Sequence, residues 1–182
     1  MPIAHTLYRL GVHPDLITGI GLFVVLIACV VIGMGQLTLG GIILLLGMPL
    51  DALDGAVARA MNRQGQFGAV LDSSLDRYAD GFIFASLSYY FSVQNRPEWL
   101  LMAQVALIGT FLVSYFRARA ESAGVIVKIG LLSRVERTAI IIPMLLFPVL
   151  LEAGVFILAI GTQITALQRL WYIYKTLKNR GE

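Results

Sequence analysis

Charge is scarce in this chain. Asp, Glu, Lys and Arg make up 14% of its 182 residues, against about 25% in soluble domains. Cysteine is scarcer still. Cys29 stands alone inside an apolar run, which excludes an internal disulfide and leaves it the role of a small buried apolar residue. The two histidines, His5 and His13, lie apart from any ligand set, so neither is assigned to a metal. No internal repeat is visible. No small-residue cleavage pattern follows the first apolar run, which is therefore expected to remain as a span rather than be removed as a signal peptide. What the chain has in excess is apolar surface: 58% hydrophobic residues and a mean hydropathy of +0.80. That excess excludes disorder and fibrous repeats and points to an integral membrane protein.

A bilayer-crossing helix needs about 20 apolar residues. Six such spans are predicted, at about residues 16–34, 37–59, 68–93, 98–120, 135–151 and 154–174. The expectation is an all-α membrane protein of six transmembrane helices, one domain over residues 1–182, with no room for a second soluble one. Residues 1–12 predict a short interfacial amphipathic helix, because Ile3, Leu7 and Leu10 recur at helical spacing beside polar His5 and Arg9. His13-Pro14-Asp15 ends it, and Asp15 is placed to cap the next helix. Turns are expected at Gly35-Gln36, 62–66 and 94–97, with a longer loop carrying Gly124, Lys128 and Gly130.

In this layout thirteen of the 14 Lys and Arg residues fall on one side and only Arg96 on the other. The positive-inside rule then puts both termini and the long loops in the cytoplasm. The basic tail of Lys175, Lys178 and Arg180 suits anionic lipid headgroups, although topology alone also accounts for it. Trp99, Trp171, Tyr172 and Tyr174 fit interfacial belts.

Acidic residues stand where apolar ones belong. Asp51 and Asp54 lie in the second predicted span, Asp72 and Asp76 in the third, and Asp80 one turn later. Each intramembrane carboxylate costs about 2.5–3.5 kcal/mol on insertion scales, and such residues mark functional sites by default. Each pair has helical spacing and shares a face. At ~1.5 Å per residue, Asp51 lies ~21 Å along a helix entering at Leu37. Asp72 and Asp76 lie ~6 and ~12 Å in from Gly68, coming from the opposite surface. The four carboxylates can therefore meet at one depth, near the cytoplasmic side. Two like charges about 4 Å apart repel by ~4 kcal/mol at an effective dielectric of about 20. Cations must offset this, and Asp oxygens suit hard divalent ions such as Mg2+ or Mn2+. Two ions can hold a diphosphate and stabilise attacking and leaving oxygens. An ion-pair lattice with Arg59 and Arg77 is the structural alternative. Gly55, Ala58, Gly65 and Gly68 allow close approach of a ligand to the backbone, or of one helix to another. For Gly19, Gly21, Gly40 and Gly41, helix packing is the expectation.

Taken together, Asp51-x-x-Asp54-Gly55-x-x-Ala58-Arg59, eight residues, then Gly68-x-x-x-Asp72-x-x-x-Asp76 resembles the complete signature of the CDP-alcohol phosphotransferases. The motif covers residues 51–76, and the span layout extends the similarity over essentially the whole chain. The resemblance implies that Asp51, Asp54 and Asp72 ligate two divalent ions, with Asp76 also near them. It implies that Asp76 is the general base toward the acceptor hydroxyl. Gly55, Ala58 and Gly68 would line the cytidine pocket, and Arg59 would help hold the donor phosphates. Pro14, Asp15 and Thr18 resemble a less specific family element near the nucleotide. The implied reaction transfers a phosphatidyl group from a CDP-lipid such as CDP-diacylglycerol to an alcohol, releasing CMP. The family is commonly homodimeric, and nothing here calls for nucleic acid.

The arginines address the acceptor. Arg117 and Arg119 close the fourth span, Arg134 and Arg137 open the fifth, and Arg169 lies in the sixth. Guanidinium forks suit phosphate oxygens. These segments resemble the phosphatidylinositol-phosphate synthases, which implies that Arg117, Arg134, Arg137 and Arg169 bind the phosphate of inositol 1-phosphate. Glycerol 3-phosphate is the second candidate, since it also carries a phosphate. Serine, choline or ethanolamine fits worse. Positive-inside bias with ion pairs to Glu121 and Glu136 would place the same arginines without a ligand. A divalent-cation transporter would also use membrane carboxylates, but it would not explain Gly55, Ala58 and Arg59 at fixed spacing.

Overall fold

A computed structural model describes residues 14–47 and 66–181. Every regular element among them is helical: α1 (Pro14–Gly33), α2 (Leu37–Gly47), α3 (Gln66–Val93), α4 (Pro97–Ser122), α5 (Arg134–Leu146) and α6 (Leu151–Lys178). The predicted interfacial helix at 1–12, the second half of the second span and most of the 62–66 loop lie outside the described residues. The chain divides into two compact units, Met1–Ser86 and Leu87–Glu182.

In the first unit, α1 begins at Pro14, so Asp15 falls inside the first turn rather than at the cap expected for it. Proline is suited to the first helical position because its missing N–H has no intrahelical partner there. Helix α1 ends at the predicted turn, where Gly35 takes a φ of +87°. The Gly35 and Gln36 N–H groups cap the Ile32 and Val31 carbonyls at 2.9 and 3.1 Å. A Cβ on Gly40 would collide with Ile32 Cγ1, so this glycine serves helix packing as expected. Gly41 is buried too. A Cβ on Gly19 or Gly21 would meet nothing within 4 Å among the described residues, so the packing partner expected for these two is not found there. Cys29 is buried beside Ser86, as expected for a small core residue.

In the second unit, α3 ends where Asn95 adopts a φ of +54°, a conformation asparagine tolerates better than most residues. Arg96 N–H closes the turn on the Phe91 carbonyl at 2.9 Å, and Pro97 opens α4. The Arg96 guanidinium joins Glu98 at 2.8 Å and Glu152 at 2.9 Å. The hydrogen bond to Glu98, then that to Glu152, pushes the Arg96 pKa up. This ion triad holds the start of α4 beside the start of α6. Further along, Gln163 Nε2 donates to the Val105 carbonyl at 2.9 Å, and Gly109 lies against Thr162. The two helices therefore run parallel. Both helices bury small residues (Ala103, Ala106, Gly109 and Thr110 on α4; Ala159, Thr162 and Ala166 on α6), and where Gly109 meets Thr162 the small side chain lets the backbones approach closely.

The fifth and sixth predicted spans need a corrected boundary. Helix α5 stops at Leu146, Pro148–Leu150 form a 3-10 turn, and α6 starts at Leu151 rather than near 154. The cause is Pro148, which disfavours helical backbone in the residue before it. Phe147 accordingly sits at φ −119°, ψ 88°. Among the described residues two stretches, Pro97–Ser122 and Pro148–Lys178, are long and apolar enough to cross a membrane. Asp72, Asp76, Arg77 and Asp80 interrupt the apolar character of the equally long α3.

The predicted long loop between α4 and α5 is an extended strap laid antiparallel along α6. Gly161, Thr165, Arg169, Ile173 and Leu177 follow one another every four residues and present one stripe. Each meets the strap in turn. A Cβ on Gly161 would strike Leu132. The Leu132 N–H donates to Thr165 Oγ1 at 3.0 Å. Arg169 Nε donates to the Ile129 carbonyl at 3.0 Å. Val125 and Val127 are buried against Ile173 and Leu177. Beyond Leu177, Arg180 donates to the Gly124 carbonyl at 3.1 Å. The lengths agree: nine extended steps from Ala123 to Leu132 cover about 30 Å, and nineteen helical steps from Gly161 to Arg180 cover about 28 Å.

Candidate functional site

Of the signature, the structure describes Gly68, Asp72 and Asp76. Asp51, Asp54, Gly55, Ala58 and Arg59 lie outside the described residues. Asp72, Asp76 and Asp80 stand on α3 at i, i+4 and i+8, hence on one face. Asp72 is exposed and Asp76 half-buried. Arg77 Nη1 lies 3.9 Å from an Asp76 carboxylate oxygen and donates to the Ser73 carbonyl within its own helix. Of the ion-pair lattice, the described residues carry this long Arg77–Asp76 contact; Arg59 lies outside them. A Cβ on Gly68 would meet nothing within 4 Å among the described residues, so no packing contact there requires a glycine. No group of three or more metal-ligating side chains gathers among the described residues. The donors they do supply, two carboxylates one turn apart, are hard oxygens of the kind Mg2+ and Mn2+ take. Pro14 and Asp15 occupy the first turn of α1, and Thr18 follows one turn later, half-buried.

The arginines are drawn from three elements of the second unit. Arg169, in α6, is 6% exposed. Its Nη1 donates to the Val113 carbonyl of α4 at 2.7 Å and its Nε to the Ile129 carbonyl of the strap at 3.0 Å. Both acceptors are neutral, so they fix the guanidinium without cancelling its charge. Arg117 and Arg137 lie close enough for their charges to act on it, as does Glu136. Arg137 is 3% exposed, in the first turn of α5. Arg134 precedes it by three residues, exposed, on the same side of that turn. Arg117 pairs with Glu121 at 3.0 Å, one of the ion pairs the ligand-free reading requires. Glu136 accepts from Ser133 Oγ.

The structure adds residues that the sequence did not single out. Thr165 and Gly130 fix the strap against α6. Gly130 has a φ of +133°, and a Cβ there would lie 2.6 Å from Thr165 Cγ2 and 3.2 Å from Arg169 Nε. The four-residue recurrence of Gly161, Thr165, Arg169, Ile173 and Leu177 was the available signal, hidden because a glycine, a hydroxyl and a charge do not read as an apolar stripe.

Comparison with known proteins agrees with the resemblance. The family model for CDP-alcohol phosphatidyltransferase matches residues 11–167. The archaetidylinositol phosphate synthase of Pyrococcus horikoshii is 39% identical over 177 residues, covering 97% of this chain and 91% of that protein. The phosphatidylinositol phosphate synthase of Mycobacterium tuberculosis is 34% identical over 183 residues, covering 95% of this chain and 84% of its own length. The crystal structure of that enzyme with CDP-DAG bound superposes with a TM-score of 0.86 at 33% identity, over 95% of this chain and 92% of that one. A second structure of it, in complex with manganese and citrate, also scores 0.86, at 32% identity over 95% and 88%. Transport is thereby set aside: the chain is a membrane-embedded, divalent-cation-dependent enzyme and belongs to the CDP-alcohol phosphatidyltransferase family.

Proposed function

We propose that this enzyme transfers the phosphatidyl group of CDP-diacylglycerol to the hydroxyl of inositol 1-phosphate, giving phosphatidylinositol phosphate and CMP. The observation that carries the acceptor is Arg169. A buried guanidinium held by the neutral Val113 and Ile129 carbonyls, with Arg117 and Arg137 as well as Glu136 near it, suits an anion, and the acceptor phosphate supplies one. The names of the Pyrococcus and Mycobacterium relatives support the same acceptor.

In this reading Asp51, Asp54, Asp72 and Asp76 hold two divalent ions. The chemistry those ions supply when bound is neutralisation of the diphosphate and of charge growing on the leaving CMP. Gly55, Ala58 and Gly68 leave room for the cytidine, Arg59 steadies the donor phosphates, and Pro14, Asp15 and Thr18 border the nucleotide. Arg117, Arg134, Arg137 and Arg169 hold the acceptor phosphate and so orient its hydroxyl. Asp76 takes the hydroxyl proton as the oxygen attacks the phosphorus that bears the diacylglycerol. The new P–O bond forms as the bond to CMP breaks, and CMP leaves with the electron pair. The whole chain works as one catalytic domain of six spans with an N-terminal interfacial helix. It works as a homodimer among membrane lipids, with its termini and active site on the cytoplasmic face.

The test is CMP release by purified protein with CDP-diacylglycerol and Mg2+, with inositol 1-phosphate and glycerol 3-phosphate in parallel. Release with inositol 1-phosphate, falling at least ~100-fold in Asp76→Asn, is the expected result. Release with glycerol 3-phosphate alone would keep the family chemistry and overturn the acceptor.

A further inference from the structure

The strap holds one of the two carbonyls that fix Arg169, so whatever fixes the strap along α6 also fixes Arg169. Ile129, which accepts from Arg169 Nε, lies three residues before Leu132, whose N–H donates to Thr165 Oγ1. Thr165 is fully buried. Its hydroxyl is used on both sides, accepting from Leu132 and donating to the Gly161 carbonyl at 2.7 Å. Its methyl is equally engaged, since Gly130 packs so closely on it that a Cβ would sit 2.6 Å away. Between them the two atoms of Thr165 allow the strap one register. A slip of one residue in an extended segment turns every side chain and carbonyl to the opposite face. Such a slip would swing the Ile129 carbonyl off Arg169.

We propose that Thr165 is a positioning residue for the acceptor phosphate: through the Leu132 N–H and the Gly130 contact it locks the strap in the register that aims Arg169. It touches no substrate. The inference rests on the reading of Arg169 as an acceptor-phosphate ligand, and the experiment separates the two.

Three variants are compared by steady-state kinetics, titrating inositol 1-phosphate and CDP-diacylglycerol separately. Thr165→Val keeps the shape and removes the hydroxyl, leaving the Leu132 N–H without its acceptor. KM for inositol 1-phosphate is expected to rise about tenfold, as for loss of one buried hydrogen bond. The kcat and the CDP-diacylglycerol KM should stay within about twofold. Thr165→Ser restores the hydroxyl and should return the acceptor KM close to the parent value. Arg169→Gln reports on the underlying reading and should raise the acceptor KM at least as much as Thr165→Val. If Arg169→Gln raises that KM and Thr165→Val does not, the positioning role is wrong and the phosphate site stands. If neither raises it, the phosphate site is wrong and the positioning role falls with it. If Thr165→Val moves both substrates' KM values together, Thr165 is merely structural. Should Thr165→Val not purify as folded protein, Thr165→Ala, a strong helix former, carries the same comparison with the same outcomes.

Discussion

Substituting Gly109 by alanine should separate α4 from α6. The new Cβ would overlap Thr162 Oγ1, lie 2.8 Å from Thr162 Cβ and reach 3.0 Å from Gln163 Nε2. Thr162 cannot turn away, because it is fully buried and its hydroxyl donates to the Leu158 carbonyl at 2.7 Å. The helices must move apart, and overpacking of this kind costs about 1–3 kcal/mol. For a domain of this size that corresponds to a loss of roughly 2–12 °C in thermal midpoint. The assay is thermal unfolding in one detergent for the parent, Gly109→Ala, Thr162→Ala and the double variant. Thr162→Ala removes the overlapping oxygen but leaves the Cβ, so the rescue should be partial. The double variant should be less destabilised than the two singles added together, by at least about 0.5 kcal/mol, the margin that marks coupled neighbours. Because Arg169 Nη1 reaches across the same helix pair to the Val113 carbonyl, the acceptor KM should rise in Gly109→Ala and partly recover in the double variant. A Gly109→Ala protein as stable as the parent, or simple additivity, would refute the close parallel packing.

Two further outcomes bear on the donor and the metal. Gly68→Ala meets no atom within 4 Å among the described residues and replaces glycine by the better helix former. Its thermal midpoint should stay within about 2 °C while KM for the CDP-lipid rises. A lower midpoint with an unchanged KM would return Gly68 to a packing role. Removing divalent ions with a chelator should lower CMP release by at least an order of magnitude, with recovery on adding Mg2+ or Mn2+. Activity that survives complete chelation would refute the role given to the carboxylates.

The helices, turns and carboxylates were legible in the sequence for reasons of local chemistry. Gly35 and Asn95 mark turns because few other residues take positive φ readily. Asp72 and Asp76 stand out because carboxylates in an apolar stretch are costly and their spacing puts them on one face. The end of α5 was misplaced because apolar content continues through Phe147-Pro148-Val149, whereas helix continuity depends on what Pro148 does to the residue before it. The packing role expected of Gly19 and Gly21 finds no partner among the described residues for a related reason. A helix sequence shows where small residues lie, but not which of them faces a neighbour, and among the described residues Gly40 does while those two do not. The strap was read as a loop because its partners are distributed along another helix. Buried Val125 and Val127 alternate with exposed Ile126 and Lys128 as an extended segment should, yet the sequence there reads Val-Ile-Val-Lys, and so short an apolar run fixes no partner.

The carboxylates and the arginines are assembled by different means. Asp72, Asp76 and Asp80 sit on one face of a single helix, so their spacing is built into α3. The arginines come from α4, α5 and α6, and no single helix brings them together. They need a device that orders several elements at once without adding carboxylates that would neutralise them. Backbone carbonyls meet that need. The Val113 and Ile129 oxygens orient Arg169 by hydrogen bonds and leave its positive charge for an incoming anion. Arg117 shows the contrast, since its bond to Glu121 does cancel charge. It follows that Arg169 should contribute more than Arg117 to binding an acceptor phosphate, although both carry the same guanidinium.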